Sequence, residues 1–292
     1  MNILFLGAGG PAAVGAIKSL FDVDSQGGHR IISVDCDELA VGFHFSDQSY
    51  VVPKINEEHY IEELLDIIEK ENIDLILPTS NDVIPLSMNK DNIDAMMFMS
   101  DYDVIETCVD KFLFYKTCQS SFPLPKTTNE FIPIFAKPRE GKGSVGVELI
   151  DRSIEDYVYQ EYLPGTEYTI DVLCDMDSNV LSVIPRIRLQ TKAGISTKGR
   201  IIRNKFIENT CKEMAEFLNL KGPVCMQMKE DKYGDPKFIE INPRFGGGTY
   251  FTTLSGVNFV KIILDLVKGK KIVVPEPKEI TVLRCFKEVV CF

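Results

Sequence analysis

Lys237-Phe238-Ile239-Glu240-Ile241-Asn242-Pro243-Arg244, followed after Phe245 by Gly246-Gly247-Gly248, is the stretch that organises this 292-residue sequence. A strand's period of two predicts Glu240 and Asn242 on one face and Ile239 and Ile241 toward a core. Just upstream, Val224 to Glu230 reads as an antiparallel partner, joined through Asp231-Lys232-Tyr233-Gly234-Asp235. In it Gln227 stands between Met226 and Met228, so its amide points away from a buried face. One carboxylate and two amide carbonyls are hard oxygen donors suited to Mg²⁺, with Mn²⁺ as the alternative, and Mg²⁺ leaves most of its shell to nucleotide phosphates and water. Arg244, past the strand end, can stabilise a transferring phosphoryl group. A bare E-x-N-P would by default read as a surface edge with Glu240 solvated. Three consecutive glycines tip the balance, since such a run is costly unless the backbone approaches something closely.

The rest of the second half is also α+β and mostly antiparallel. A helix is expected over Lys111 to Gln119, then strands ending at Lys137-Pro138 and over Tyr157 to Tyr162, Tyr168 to Cys174 and Val180 to Leu189. Helices over Asn204 to Leu218 and Phe259 to Lys268 complete it. Lys137 precedes the loop Gly141-Lys142-Gly143-Ser144-Val145-Gly146, where a lysine beside glycine-freed amides can hold phosphate oxygens. The spacing is not that of a P-loop, and a surface hairpin is the plain alternative. Gln160-Glu161-Tyr162-Leu163-Pro164-Gly165-Thr166-Glu167 can meet an adenine with its backbone and ribose hydroxyls with Glu167, or be a simple strand-turn-strand. Arg186 and Arg188 alternate with Ile187 and Leu189, so both guanidinium groups can face one cleft and hold a substrate carboxylate. With Lys192, Lys198, Arg200 and Arg203 they form a basic cluster that is either a small-anion site or a solvated hairpin.

Alternation of strand and helix over the first hundred residues predicts a parallel, doubly wound sheet. It opens with Asn2 to Leu6, turns at Gly7-Ala8-Gly9-Gly10-Pro11 and enters a helix. This turn, with Asp35 closing the next strand, can cradle a dinucleotide or be only a tight turn. The division between the two units is expected near residue 107.

A net charge of −11 argues against nucleic acid as a partner. The 45% hydrophobic share is that of a folded protein. Eight cysteines without a C-x-x-C pair suggest reduced thiols, and the glycine-broken start is unlike a signal peptide, so a cytoplasmic protein with no membrane partner is expected. The apolar tail, Val282 to Phe292, would pack internally or against a second subunit of a homodimer.

Taken together, these motifs resemble the ATP-grasp superfamily, nearest to its carbamoyl-phosphate-synthetase-like branch. The resemblance implies a Rossmann-like preATP-grasp domain over 1–107 and a two-lobed ATP-grasp domain over 108–292, with a lid lobe over about 110–163. It implies ATP contacts from Lys111 of Asp110-Lys111, from Lys137, from the loop Gly141, Lys142, Gly143 and Ser144, from the adenine hinge Gln160, Glu161, Tyr162 and Leu163, and from Glu167 at the ribose. Gln227, Glu240 and Asn242 fall on the family's magnesium ligands, and Arg244 follows them. The activity implied is ATP-dependent ligation, in which a carboxylate is activated as an acylphosphate and captured by an amine. Arg186 and Arg188 would bind the acid, while Lys137 and Arg244 would stabilise the transferring phosphoryl. Two other classes stay open: an NAD-dependent oxidoreductase using the amino-terminal glycine turn, and a nucleotide-binding protein without catalysis.

Overall fold

The computed structural model describes residues 1–24, 27–130, 135–140, 148–149, 154–285 and 287–290. Its first part is built from β1 (Asn2–Leu6), α1 (Pro11–Phe21), β2 (Arg30–Asp35), β3 (Gln48–Val51), α2 (Tyr60–Lys70), β4 (Leu75–Leu77), α3 (Val83–Met88) and β5 (Met96–Met97). The five strands are parallel in the order β3-β2-β1-β4-β5. Such an order places a topological switch point at the carboxyl ends of β1 and β4, where open α/β sheets offer a crevice. β1 is apolar on both faces because both are covered. Ile3 and Phe5 enter one core and Leu4 and Leu6 the other.

The chain continues through α4 (Tyr102–Val109), α5 (Lys111–Cys118), β6 (Thr127–Thr128), β7 (Phe135–Pro138), β8 (Glu148–Leu149) and β9 (Tyr157–Gln160). These four strands form an antiparallel sheet in the order β6-β9-β7-β8. Asp110 begins α5 as an N-cap, accepting from the backbone N–H groups of Phe112 and Leu113 at 2.9 and 3.1 Å. The expected division at residue 107 falls inside α4, a helix shared by two cores: Ile105 packs with the parallel sheet and Cys108 with the core around Ile170 and Met226.

The last part comprises β10 (Glu167–Cys174), β11 (Val180–Lys192), β12 (Ile195–Ile201), α6 (Lys205–Phe217), β13 (Gly222–Glu230), β14 (Pro236–Asn242), α7 (Thr249–Leu254), α8 (Phe259–Val267) and β15 (Thr281–Leu283). Its six strands are antiparallel in the order β14-β13-β10-β11-β12-β15. The amphipathic α6 buries Ile207, Cys211 and Met214 against Ile170, Val172, Met226 and Met228. The two halves are not independently cored. Ile3, Phe5 and Leu77 of the parallel sheet share a cluster with Phe245, Phe251, Phe259 and Ile263 of the second half.

One local feature departs from the strict alternation expected of β14. Gln227 pairs with Glu240 but Met228 pairs with Phe238, so Ile239 is the extra residue of a β-bulge. The buried side chains are therefore Phe238 and Ile241, three apart, and Ile239 is only partly buried. Glu240 and Asn242 still share a face, because the bulge precedes them.

Candidate functional site

A cleft of about 510 Å³ lies where the switch point of the parallel sheet meets the six-stranded sheet. Gly7, Gly10, Asp35, Thr79 and Ser80 line it from the first half, and Arg186, Arg188, Gln227, Glu240, Asn242, Arg244, Gly247 and Gly248 from the second. Gly7 makes its turn at φ +62°, and a Cβ there would come within 2.8 Å of Ser80 Cβ, so glycine is required on both counts. Asp35 does not stand free to receive a ribose. It accepts from the N–H of Gly9 at 2.7 Å and of Asp37 at 2.9 Å, which makes it a buttress of the turn.

The three proposed metal donors converge. Glu240 Oε1 accepts from Gln227 Nε2 at 3.1 Å and from Asn242 Nδ2 at 2.5 Å. Their amide oxygens meet arginines instead: Arg188 Nη1 donates to Gln227 Oε1 at 3.3 Å and Arg244 Nη2 to Asn242 Oδ1 at 3.0 Å. Rotating either amide by half a turn brings its oxygen beside Glu240. A carboxylate with two such amides within hydrogen-bond reach is a donor set that fits Mg²⁺. Arg244 is fixed from the first half, its Nε donating to Asn81 Oδ1 at 3.0 Å and its Nη1 to the Phe245 carbonyl at 3.0 Å.

Glu240, Asn242 and Arg244 also border a second, smaller void with Asn81 and Lys111. Lys137 lies on the neighbouring β7, 6% exposed, and donates to the carbonyl of the bulge residue Ile239 at 3.2 Å. Burial pulls its pKa down to about 8, with the Glu240 carboxylate opposing that fall and Lys111 adding to it. Burial lowers Lys111 as well, against the pull of Glu240, Glu140 and Asp110.

Gln160 is buried and donates to Thr127 Oγ1 at 2.8 Å, while Glu161 accepts from Lys237 Nζ at 3.1 Å. Leu163 is buried and Tyr162 is 54% exposed. Glu167 accepts from Arg188, which also donates to the Gly194 carbonyl at 2.5 Å. Gly141, Lys142, Gly143 and Ser144 lie outside the described residues.

Arg186 and Arg188 both reach the cleft, as alternation predicts, but each already has a carboxylate. Arg186, 1% exposed, pairs at 2.6 Å with Asp171, itself 2% exposed, and Thr252 Oγ1 donates to that same carboxylate oxygen at 2.6 Å. The glycine run serves this pair. A Cβ on Gly248 would come within 2.3 Å of Arg186 Nη2, so what the backbone approaches so closely is the protein's own guanidinium. Sequence reasoning missed Asp171 and Asn81. A lone acid inside the apolar strand Glu167–Cys174 signals a buried partner of opposite charge. Asn81, in the loop after β4, carries no such signal.

Known proteins resemble this chain in sequence and fold. Residues 153–289 match the family model described as "ATP-grasp in the biosynthetic pathway with Ter operon", and residues 3–97 match "PylC-like, N-terminal domain". Over residues 153–289 the chain is thus similar to the ATP-grasp family. It is 24% identical over 214 residues to a D-aspartate ligase of Enterococcus faecium (strain Aus0004), a match covering 56% of this chain and 51% of that protein. The chain thus spans about half the length of the curated relative it matches. Among solved structures, Rhizobium etli pyruvate carboxylase has a similar fold, with a TM-score of 0.72 at 20% identity over 94% of this chain and 29% of that one. The biotin carboxylase domain of Hydrogenobacter thermophilus 2-oxoglutarate carboxylase, solved with MgADP, ADP and bicarbonate, gives a TM-score of 0.72 at 15% identity over 93% of this chain and 70% of that one. Among the described residues no helix is long and apolar enough to cross a membrane.

Proposed function

We propose that this protein is an ATP-dependent ligase acting on small molecules. A substrate carboxylate oxygen attacks the γ-phosphorus of ATP, ADP leaves, and an amine then attacks the acyl carbon, forming a C–N bond as phosphate departs. The supporting observation is the position of Glu240, Asn242 and Arg244, which border the Lys111 side on one flank and the large cleft on the other. In this reading the phosphoryl group is handed from the Lys111 side to the cleft beside this trio. Mg²⁺ held by Gln227, Glu240 and Asn242 would neutralise phosphate charge. Lys137 and Lys111 would hold ATP oxygens, and Arg244, kept in place by Asn81, would meet the charge that develops on the transferring group. Arg188 and Arg186 would shape the acid side of the cleft, with Arg188 exchanging Glu167 for substrate or nucleotide groups. The domain division at 107 and the adenine hinge at 160–163 belong to the same proposal.

Magnesium-dependent stabilisation by ATP is the direct test. At about a hundred times its dissociation constant, a ligand bound only by the native state adds roughly 2.7 kcal/mol. Melting should therefore rise with Mg-ATP and much less with ATP plus a chelator. A rise with NADH alone would transfer the function to the amino-terminal turn and sink the ligase proposal.

ATP binding should also weaken in alkali. Free Lys137 loses its proton through about pH 8, below its ordinary range, so below that pH it is already charged for phosphate. Above pH 8 binding must recruit a proton, and the dissociation constant should rise by up to roughly tenfold per pH unit. Calorimetry at pH 7, 8 and 9 in buffers of different ionisation enthalpy reads both the slope and the proton. In Lys137→Arg, which stays charged, the slope should flatten; an equally steep slope would show that Lys137 is not the group concerned.

A further inference from the structure

The carboxyl-terminal tail does more than close a sheet edge. β15 pairs with β12, matching Thr281 with Arg200 and Leu283 with Lys198, and the N–H of Arg284 extends the ladder to the Thr197 carbonyl at 2.9 Å. Val282 packs on the shared core, whereas Leu283 and Val290 are exposed. The Arg284 side chain turns inward. Its Nη2 donates to the carbonyl of Gly247, a residue of the cleft wall, and its guanidinium sits 4.9 Å from the centroid of the Phe251 ring. Arg186 approaches the same ring at 5.5 Å. The two cations crowd each other, and burial together with Arg186 pulls the Arg284 pKa below its ordinary value. Asp171 pairs with Arg186, but among the described residues no carboxylate pairs with Arg284.

A partly buried guanidinium without a carboxylate partner is expensive to keep, and a bond to one glycine carbonyl is modest return for it. What the bond does is orientational. A trans peptide is planar, so turning the Gly247 carbonyl toward Arg284 turns the N–H of Gly248 the opposite way. No side chain on Gly247 or Gly248 resists rotation of that peptide, so something else must fix it. We infer that Arg284 is a positioning residue for the acid substrate: from the carboxyl-terminal strand it sets the Gly247–Gly248 wall of the cleft and the pose of Arg186 behind it. This rests on the ligase function proposed above and assigns to the tail a part in recognising the acid, separate from the nucleotide.

The test uses the full chain loaded with Mg-ADP and, as probes, D-aspartate, L-aspartate and succinate, followed by calorimetry. Wild type should bind at least one probe. Arg284→Met should weaken that binding about tenfold or more while leaving the Mg-ADP dissociation constant within about twofold. Arg284→Lys should recover part of the loss, since it keeps the charge but not the planar fork that stacks on Phe251. Equal weakening of nucleotide and acid would reduce Arg284 to a structural role. Unchanged acid binding in Arg284→Met, or no probe bound by wild type, would overturn the inference. A wild-type protein that does not bind Mg-ADP or Mg-ATP would instead remove the ligase proposal itself, so the two failures are separable.

Discussion

Replacing Glu240 by glutamine is expected to lower ATP turnover by at least about 100-fold without unfolding the protein. The fold should survive because β14 is anchored by Phe238 and Ile241, and a glutamine oxygen can still accept from Gln227 and Asn242. What disappears is the negative charge. Glu240 opposes the burial-driven fall in the pKa of both Lys137 and Lys111, with Glu140 and Asp110 also acting on Lys111. Without it both lysines shed their protons at lower pH. The residual turnover of Glu240→Gln should therefore decline with alkali from a lower pH than that of wild type, which simple loss of a structural contact would not produce. Steady-state ADP release between pH 6 and 9, beside a melting curve, measures both effects. A Glu240→Ala/Asn242→Ala double variant that still turns over ATP would remove the metal assignment.

Asp171→Ala should be the most damaging substitution for stability, by roughly 3–5 kcal/mol, because it strands a buried guanidinium. An exposed ion pair contributes only about 0–1 kcal/mol, so burial decides the magnitude. Arg186 would face Phe251 beside the second cation, Arg284, with no anion between them. Melting should fall by about 10 °C, taking roughly 2–4 °C per kcal/mol for a domain of this size. Asp171→Leu with Arg186→Met should recover much of the loss, since an apolar pair of similar volume often matches a buried ion pair. Should that double variant also bind the acid probes normally, Arg186 is scaffold and the acid is held by Arg188, Arg244 and the glycine wall. A fall of less than about 1 kcal/mol in Asp171→Ala would mean that water reaches the pair.

Much of the candidate site's grouping is legible in the sequence. Glu240, Asn242 and Gln227 are found together because strand alternation and antiparallel pairing are local rules, and Lys137 was picked out by its place at the end of an apolar strand. The limits of the same rules are equally particular. Alternation brought Arg186 and Arg188 to the cleft but could not reveal that Asp171 and Glu167 already hold them, since those partners lie on another strand. It assigned Ile239 to the core, where the bulge puts Phe238 instead, because a one-residue insertion is a property of two paired strands.

The sequence by itself determined the class of fold and the cluster of oxygen donors, which follow from periodicity and short spacings; the superfamily enters as a resemblance carried by the motifs in their order. Only the tertiary structure decided that the two halves share a core, that Asn81 holds Arg244, and that Arg284 reaches Gly247. The last two contacts join residues 163 and 37 positions apart. Their strength comes from burial and from which charges meet once water is excluded, and neither is written in the local pattern.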